Sequence, residues 1–542
     1  MAWFPLKNFT HYSLLKGYSK PDELALKCKQ NEYPACGICD YKTISGAVAF
    51  YQACKKLNIK PIIGCSFDNC QLFAKNKNGW NDLIELVSCI DESGNIQNTV
   101  LDDILSRNNL IKLSNNYDKN MPISYYTNQQ DAKLHRILLC SDMKTTLPKV
   151  NKWIRPDKNG NISVSSDMNN HMDKLEYFMF DRFYVLNKDE SKNLDASQLE
   201  EIYNQCEDYN ILNQPMLPKF DCPDNLSEEE YLKVLARKGW RELLINTDKV
   251  KDENNKKIYL DRFNNELQVI KDANLFGYFL IVQDIIRYVR DSGWLSGPGR
   301  GSAAGCLISY LIGITQIDPV EYDLLFERFY NAGRNAKDHI SLPDIDMDIP
   351  GKKRDEVIAY IKNKYGNNHV SQMITFGRLQ GRSAIKEVLR VNEACSFAEM
   401  NTITKSVPNE AEISDQLADM DDDERSIIRW ALINRPNELR DFCQISEDGT
   451  LIGDYAEYFE QAINIEGTFK TQGKHAAGVV ISADPLNKVC PMVRSKDSNE
   501  KIAGLEMSDL ESLGHVKFDV LGINLLDKLM MIQDITGEPN GK

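Results

Sequence analysis

Nowhere in its 542 residues does the chain carry an apolar run approaching the ~20 residues a bilayer span requires, which excludes a membrane-embedded role and leaves no membrane partner to expect. The opening MAWFPLKNFTHYSLLKG lacks the basic, apolar and small-residue succession of a signal peptide, so the cytoplasm is the expected compartment. Fourteen cysteines are scattered singly through apolar stretches, a usage that suits reduced thiols and not a disulfide scaffold. Cys36 and Cys39 have redox or zinc spacing, but no second CxxC accompanies them, so they read as two small apolar residues of a buried strand. No period of 20–50 residues is present, which excludes a solenoid.

What is there is a multidomain α/β sequence, long enough for three or four domains. The first ~220 residues alternate short apolar strands with helices, as in ACGICDY, ISGAVAFYQACKKLN and IKPIIGCSF. A Pro-punctuated link, QPMLPKFDCPDN, leads to the capping signal Ser227-Glu-Glu-Glu and a helical stretch that ends in the apolar NLFGYFLIVQDIIRYVRDSG. GPGRGSAAGCLISYLIGI reads as a Gly-rich turn opening a helix. SLPDIDMDI and HVSQMITFG read as strands, each followed by a helix, over 353–366 and 378–391. Residues 392–470 are polar and helical, with Asp421, Asp422, Asp423 and Glu424 as a solvated helix start, and KHAAGVVIS and GHVKFDVLG return as strands. The implied architecture is a sheet built from distant segments around a helical insertion. The net charge of −14 argues weakly against nucleic acid, yet residues 351–391 hold nine Lys/Arg against three Asp/Glu, and local charge decides where phosphates dock.

The strongest chemical signal is Asp344, Asp346 and Asp348. On a strand, alternation sends these carboxylates to one face and Ile345, Met347 and Ile349 to the other. The motif alone fits two arrangements: a solvated acidic edge, or carboxylates gathered around a divalent cation that relieves their repulsion. All-oxygen ligands without nearby His or Cys indicate Mg²⁺, or Mn²⁺, over zinc. In Gly297-Pro-Gly-Arg-Gly-Ser302 the glycines permit close approach to a phosphate at a helix start, although neither Walker nor Rossmann spacing is met. Such a turn followed by Asp-x-Asp outlines a nucleotidyltransferase. Asp519, flanked by Phe518 and Val520 and sharing its strand face with Lys517, offers the third carboxylate for a two-metal site. Arg378, Arg382, Lys386 and Arg390 recur every four residues, so one helix face carries four like charges; a solvated face is the plainer reading, and contact with nucleic-acid or nucleotide phosphates the one preferred.

Taken together, FGYFLIV, GPGRGSAAG, DPVEYDLLFERFYN, LPDIDMD, VSQMITFG, EGTFKTQGKHAAGVVIS and VKFDVLG resemble the bacterial replicative DNA polymerase III alpha subunit (C-family) in family order. The resemblance implies a PHP-like α/β barrel over 1–222, a polymerase-beta-type nucleotidyltransferase palm over 223–391 and 478–542, and a helical thumb inserted over 392–477. It implies Asp344, Asp346 and Asp519 as ligands of two Mg²⁺ ions, and Lys517 as stabilising developing charge. Arg300, Gly301 and Ser302 would hold the triphosphate of a dNTP, while Lys474 and His475 would face template-primer DNA. Asp348 matches the final motif Asp, which is not usually a ligand.

Two departures from the family pattern stand out. The PHP opening motif, which supplies a His-x-His pair, has Lys7 and Phe9 here; Tyr41 and Ser66 stand where a histidine and an acid are expected, and only His11, His135 and His171 precede residue 220. No PHP metal is therefore expected, and the segment reads as a scaffold without phosphoesterase or proofreading activity. The chain also stops at ITGEPNGK, before the fingers, clamp-binding and OB regions of the family, so a second polymerase chain carrying them is expected as partner. The alternative reading is a non-catalytic palm-thumb-PHP assembly or DNA-binding module, which the intact aspartates disfavour.

Overall fold

The computed structural model describes residues 2–116, 118–156, 162–331, 342–421, 424–495 and 500–537. Asp422 and Asp423 of the expected acidic helix start, and the final residues of ITGEPNGK, lie outside them. The chain forms two compact units, one of residues 1–210 with 376–473, the other of residues 211–375 with 474–542.

In the first unit the strand Ala35–Ile38, the helix Ala47–Lys56 and the strand Lys60–Ser66 make a β-α-β step with the strands parallel. ACGI is buried throughout, as a strand covered on both faces must be. The sheet continues antiparallel through Cys70–Ala74 to Leu110–Ser114. At the other edge, Gly37 and Cys39 donate backbone hydrogen bonds to Pro5 and Asn8. There a side chain at Gly37 would collide with the Leu6 carbonyl, 2.2 Å from an added Cβ. Beyond lie the short parallel pair Lys7–Asn8 and Ile123–Ser124 and the isolated parallel bridge Tyr126–Tyr184.

The expected barrel is therefore corrected to an open sheet: among the described residues no strand joins Leu110–Ser114 to the far edge. Leu110–Ser114 turns Lys112 and Ser114 to solvent, the composition of a finished edge. The segment 376–473 shares the core of this unit. Its helix Arg382–Asn392 buries Ile385, Val388 and Leu389 in one cluster with Ile137 and Leu138 of the helix Ala132–Asp142 and Phe459 and Ala462 of the helix Ala456–Ile465. The border expected at 391/392 thus runs through a continuous packed core.

A six-stranded sheet organises the second unit, in the order Met492–Arg494, Lys501–Ala503, Val370–Arg378, Phe469–Ile481, Val516–Ile523, Asp346–Pro350. Ile345, Met347, Ile349, Phe518 and Val520 pack in one core with Phe279, Leu280 and Ile286 of the helix Phe276–Asp291. Asp284, fully buried on that helix, accepts from Tyr360 Oη at 2.8 Å and Lys364 Nζ at 2.5 Å, which fastens the helix Arg354–Tyr365 beside it. The apolar faces leave the opposite side chains of the last two strands free for chemistry.

Candidate metal centre

Val516–Ile523 and Asp346–Pro350 are parallel neighbours, with Asp519 directly opposite Asp346. Parallel pairing points both side chains to the same face, at strand spacing of about 4.8 Å. Asp344 joins them just before its strand, so that one carboxylate oxygen from each of Asp344, Asp346 and Asp519 lies within 4.8 Å of the others. On the far side of Asp519 stands Gly478 of Phe469–Ile481, where an added Cβ would meet Met373 Cε at 2.7 Å and His475 Nδ1 at 3.1 Å.

Asp519 is 8 % exposed, and its Oδ1 is buried without a hydrogen-bond partner. Its Oδ2 pairs with Lys517 Nζ at 2.7 Å. Burial raises the Asp344 carboxyl above the ordinary value; Lys517 pulls it back, and Asp519 and Asp346 push it further up. A buried carboxylate oxygen without a partner, inside a cluster of three acids, fits a divalent cation, which would answer the oxygen and relieve the repulsion together.

Arg300 Nε lies 3.2 Å from Asp346 Oδ2 and 3.4 Å from Asp348 Oδ1, which brings the Gly-rich turn onto the acidic strand. Gly297 donates to the Asp348 carbonyl at 2.9 Å, and an added Cβ there would stand 2.6 Å from the Asp348 Cβ, so the contact requires glycine. Burial raises the Asp348 carboxyl, and Arg300 opposes the rise. Gly301 (φ +59°) and Ser302 are exposed.

The turn opens a five-residue 3₁₀ segment, Gly301–Gly305, and the α-helix starts only at Leu307. Sequence reasoning missed the cause. Glu266, fully buried on the helix Glu253–Asp272, accepts from the amides of Leu307 and Ile308 at 3.0 Å each and pairs with Arg262 at 2.6 Å. A glutamate on an otherwise apolar helix face was the available signal. The Leu307 and Ile308 amides are taken by Glu266, so an anion at this turn would meet the Arg300 side chain and the exposed backbone around 301 and 302 instead of the helix start.

The basic stripe is only partly a stripe. Arg378 ends the strand Val370–Arg378, and the helix begins at Arg382. Arg382 Nε donates to the Val407 carbonyl, and Lys386 Nζ to Asn401 Oδ1 at 2.8 Å. Arg390 pairs with Glu387 and reaches the Thr145 carbonyl at 3.3 Å. Glu387 also receives Lys470 at 2.6 Å, so this acid is a buried counter-charge to Arg390 and Lys470. Lys474 and His475 are half-buried on Phe469–Ile481, and His475 Nδ1 accepts from the amide of Gly478 at 2.8 Å.

The PHP positions are built differently. Asp40 is buried, and its carboxylate accepts from Thr10 N (2.7 Å), Thr10 Oγ1 (2.7 Å) and Ser13 Oγ (2.6 Å). Phe9 stacks on Tyr125, with ring centroids 4.7 Å apart, and Lys7 Nζ donates to the Ser114 carbonyl. Lys16 sits over the Tyr41 ring at 3.8 Å.

Among the described residues the three-acid cluster has the form of a divalent-metal centre at the edge of a sheet. Residues 230–522 match the family described as the bacterial DNA polymerase III alpha NTPase domain, and residues 6–154 match the PHP domain. The chain belongs to the bacterial DNA polymerase III alpha family. It is 28% identical to the DNA polymerase III subunit alpha of Aquifex aeolicus (strain VF5), across 98% of this chain and 52% of that protein. The subunits of Buchnera aphidicola subsp. Acyrthosiphon pisum (strain APS) and Staphylococcus aureus (strain N315) are each 30% identical, over 95% and 96% of this chain and 47% of each relative. The chain spans about half the length of the curated relatives it matches. Divalent metal use accords with the family and with the acidic triad.

Proposed function

We propose that residues 223–391 and 478–542 are a nucleotidyltransferase palm, and that the chain is the catalytic core of a DNA-directed DNA polymerase working on template-primer DNA and dNTP in the cytoplasm. The observation that carries this reading is the convergence of Asp344, Asp346 and Asp519 with one buried oxygen unsatisfied. Asp344, Asp346 and Asp519 would hold Mg²⁺, or Mn²⁺, in two positions. When bound, the ions activate the attacking hydroxyl and neutralise the leaving pyrophosphate.

The protein's own side chains do the remaining work. Adjacent strands fix the Asp346–Asp519 spacing, and Phe518 and Val520 anchor the ligand strand in the core, so little reorganises during reaction. Lys517 holds Asp519 in one rotamer and supplies positive charge beside it. Arg300 is poised to exchange Asp346 and Asp348 for a triphosphate as Gly301 and Ser302 present their backbone. Residues 392–477 are read as the thumb. Arg378, Lys474 and His475 are the proposed DNA contacts, together with the donors that Arg382, Lys386 and Arg390 keep beyond their internal partners.

The N-terminal segment is read as a scaffold without a PHP metal, because the donors around Asp40 already fill its carboxylate. The fingers, clamp-binding and OB functions are assigned to further residues, whichever polypeptide carries them. Mg²⁺-dependent primer extension, with fingers-bearing polypeptide added and withheld, tests the whole: Asp344→Ala or Asp519→Ala should abolish extension, and near-normal extension by either would overturn the assignment.

A further inference from the structure

Two of the three clustered carboxylates are fixed by strand pairing, and the third is not. Asp519 and Asp346 stand opposite each other where the parallel ladder begins, and the ladder then runs on to Ile523 and Pro350. Asp344 is exposed and precedes the ladder by two residues, so no strand partner fixes its place. A carboxylate in that position is only as well placed as the backbone beside it.

That backbone is held from the helix Phe276–Asp291. Ile345 buries its side chain in the core, and its amide donates to Tyr278 Oη at 3.2 Å. Tyr278 is buried in the first turn of the helix, and its ring stacks on Phe518 with centroids 5.3 Å apart and planes 27° from parallel. Phe518 lies between Lys517 and Asp519 on the neighbouring strand. One side chain therefore reaches both ligand-bearing segments, by its hydroxyl the link between Asp344 and Asp346, and by its face the residue beside Asp519.

The choice of tyrosine is informative. A phenylalanine would keep the stack and the apolar burial, and the hydroxyl adds an acceptor for a buried amide that would otherwise go unanswered. An acid could also accept that bond, but it would bring a fourth negative charge to the cluster. The phenol stays neutral: burial and then Asp344 raise its pKa, the Ile345 amide opposes the rise, and Asp519 and Asp346 add to it.

We propose that Tyr278 is a positioning residue of the metal centre: its hydroxyl fixes the Ile345 amide, and so gives Asp344 the placement that Asp346 and Asp519 obtain from strand pairing. The inference rests on the reading of the three acids as cation ligands, and it holds whichever reaction the cation serves. Tyr278 acts through Asp344 and is not itself a ligand.

The test is Mn²⁺ binding by the full chain, followed by loss of the free-ion electron paramagnetic resonance signal, which needs no polymerase activity. Tyr278→Phe should weaken the affinity about tenfold, because the unanswered amide lets the segment that carries Asp344 shift. Tyr360→Phe is the control. It also removes an internal hydroxyl from this unit, the one that donates to Asp284 at 2.8 Å, and it should leave the affinity unchanged. Wild-type affinity in Tyr278→Phe overturns the proposal, as does an equal loss in both variants, which would mark a general response to weakened packing. Hydrogen exchange in the wild-type chain gives a second measure that depends on no variant folding. The Ile345 amide should be protected without any cation, and exchange as fast as in an exposed segment overturns the proposal. A wild-type chain that binds no Mn²⁺ overturns the metal-centre reading itself, a result distinct from failure of Tyr278 alone.

Discussion

Asp40 and Asp519 are both buried acids beside apolar strands, and the protein treats them in opposite ways. Around Asp40 the chain supplies three short hydrogen bonds from Thr10 and Ser13, enough to make the carboxylate a fastener of the first turn. Around Asp519 it supplies one lysine, leaves the other oxygen unanswered, and adds two more acids. The first pattern stabilises the fold. The second costs stability, and it is the arrangement that a bound cation would relieve.

Substitution separates the two. Asp519→Ala should lower primer extension by the complemented enzyme roughly a thousandfold or more. Asp519→Asn, which keeps an oxygen for the Lys517 ammonium, should instead stabilise the cation-free protein by about 1 kcal/mol, because it removes one charge from the acid cluster; loss of stability in chemical denaturation would show that Asp519 is structural, like Asp40.

A third buried acid sharpens the contrast by titration. Burial, with Glu506 beside it, pushes the Asp509 carboxyl up to about 7. A raised carboxylate pKa means the folded state binds the proton more tightly, so stability is present below about pH 4 and declines as pH rises toward 7. Asp509→Asn should remove that decline and gain up to about 4 kcal/mol at pH 8 over wild type, read from urea midpoints at pH 5 and pH 8.

Asp40→Ala strands three donors and should cost about 3 kcal/mol in urea unfolding. Its response to Mn²⁺ should nonetheless equal that of wild type. Wild type should gain about 2.7 kcal/mol at a cation concentration a hundred times the Kd, and Asp519→Ala nothing; equal gains in all three proteins would place the cation elsewhere.

The sequence made the convergence of the three acids legible because strand alternation is a strict rule. Asp-Ile-Asp-Met-Asp could bury Ile345 and Met347 only by presenting Asp344 and Asp346 together, and Phe518 and Val520 fixed the face of Asp519 in the same way. The basic stripe misled because a period of four was read through Gly381, whose φ of +46° separates the strand bearing Arg378 from the helix bearing Arg382. Glu266 was hidden because its partners, Leu307 and Ile308, contribute backbone amides, and amides carry no sequence signature. The barrel expectation failed for a related reason: closure depends on hydrogen bonds between strand edges, and residue identity constrains these weakly. The shared core of 1–210 and 376–473 lies beyond local pattern altogether, since it joins segments whose periodicities are independent.

The direct pairing of position 519 with position 346 has a consequence for how this centre can change over time. A slip of one step along that ladder would carry an acid into the apolar layer and a core side chain out to solvent. Gradual shifts of register are thereby closed to the fold, and the glycine turn that rests on the same strand shares the constraint, whereas the N-terminal segment lies outside it.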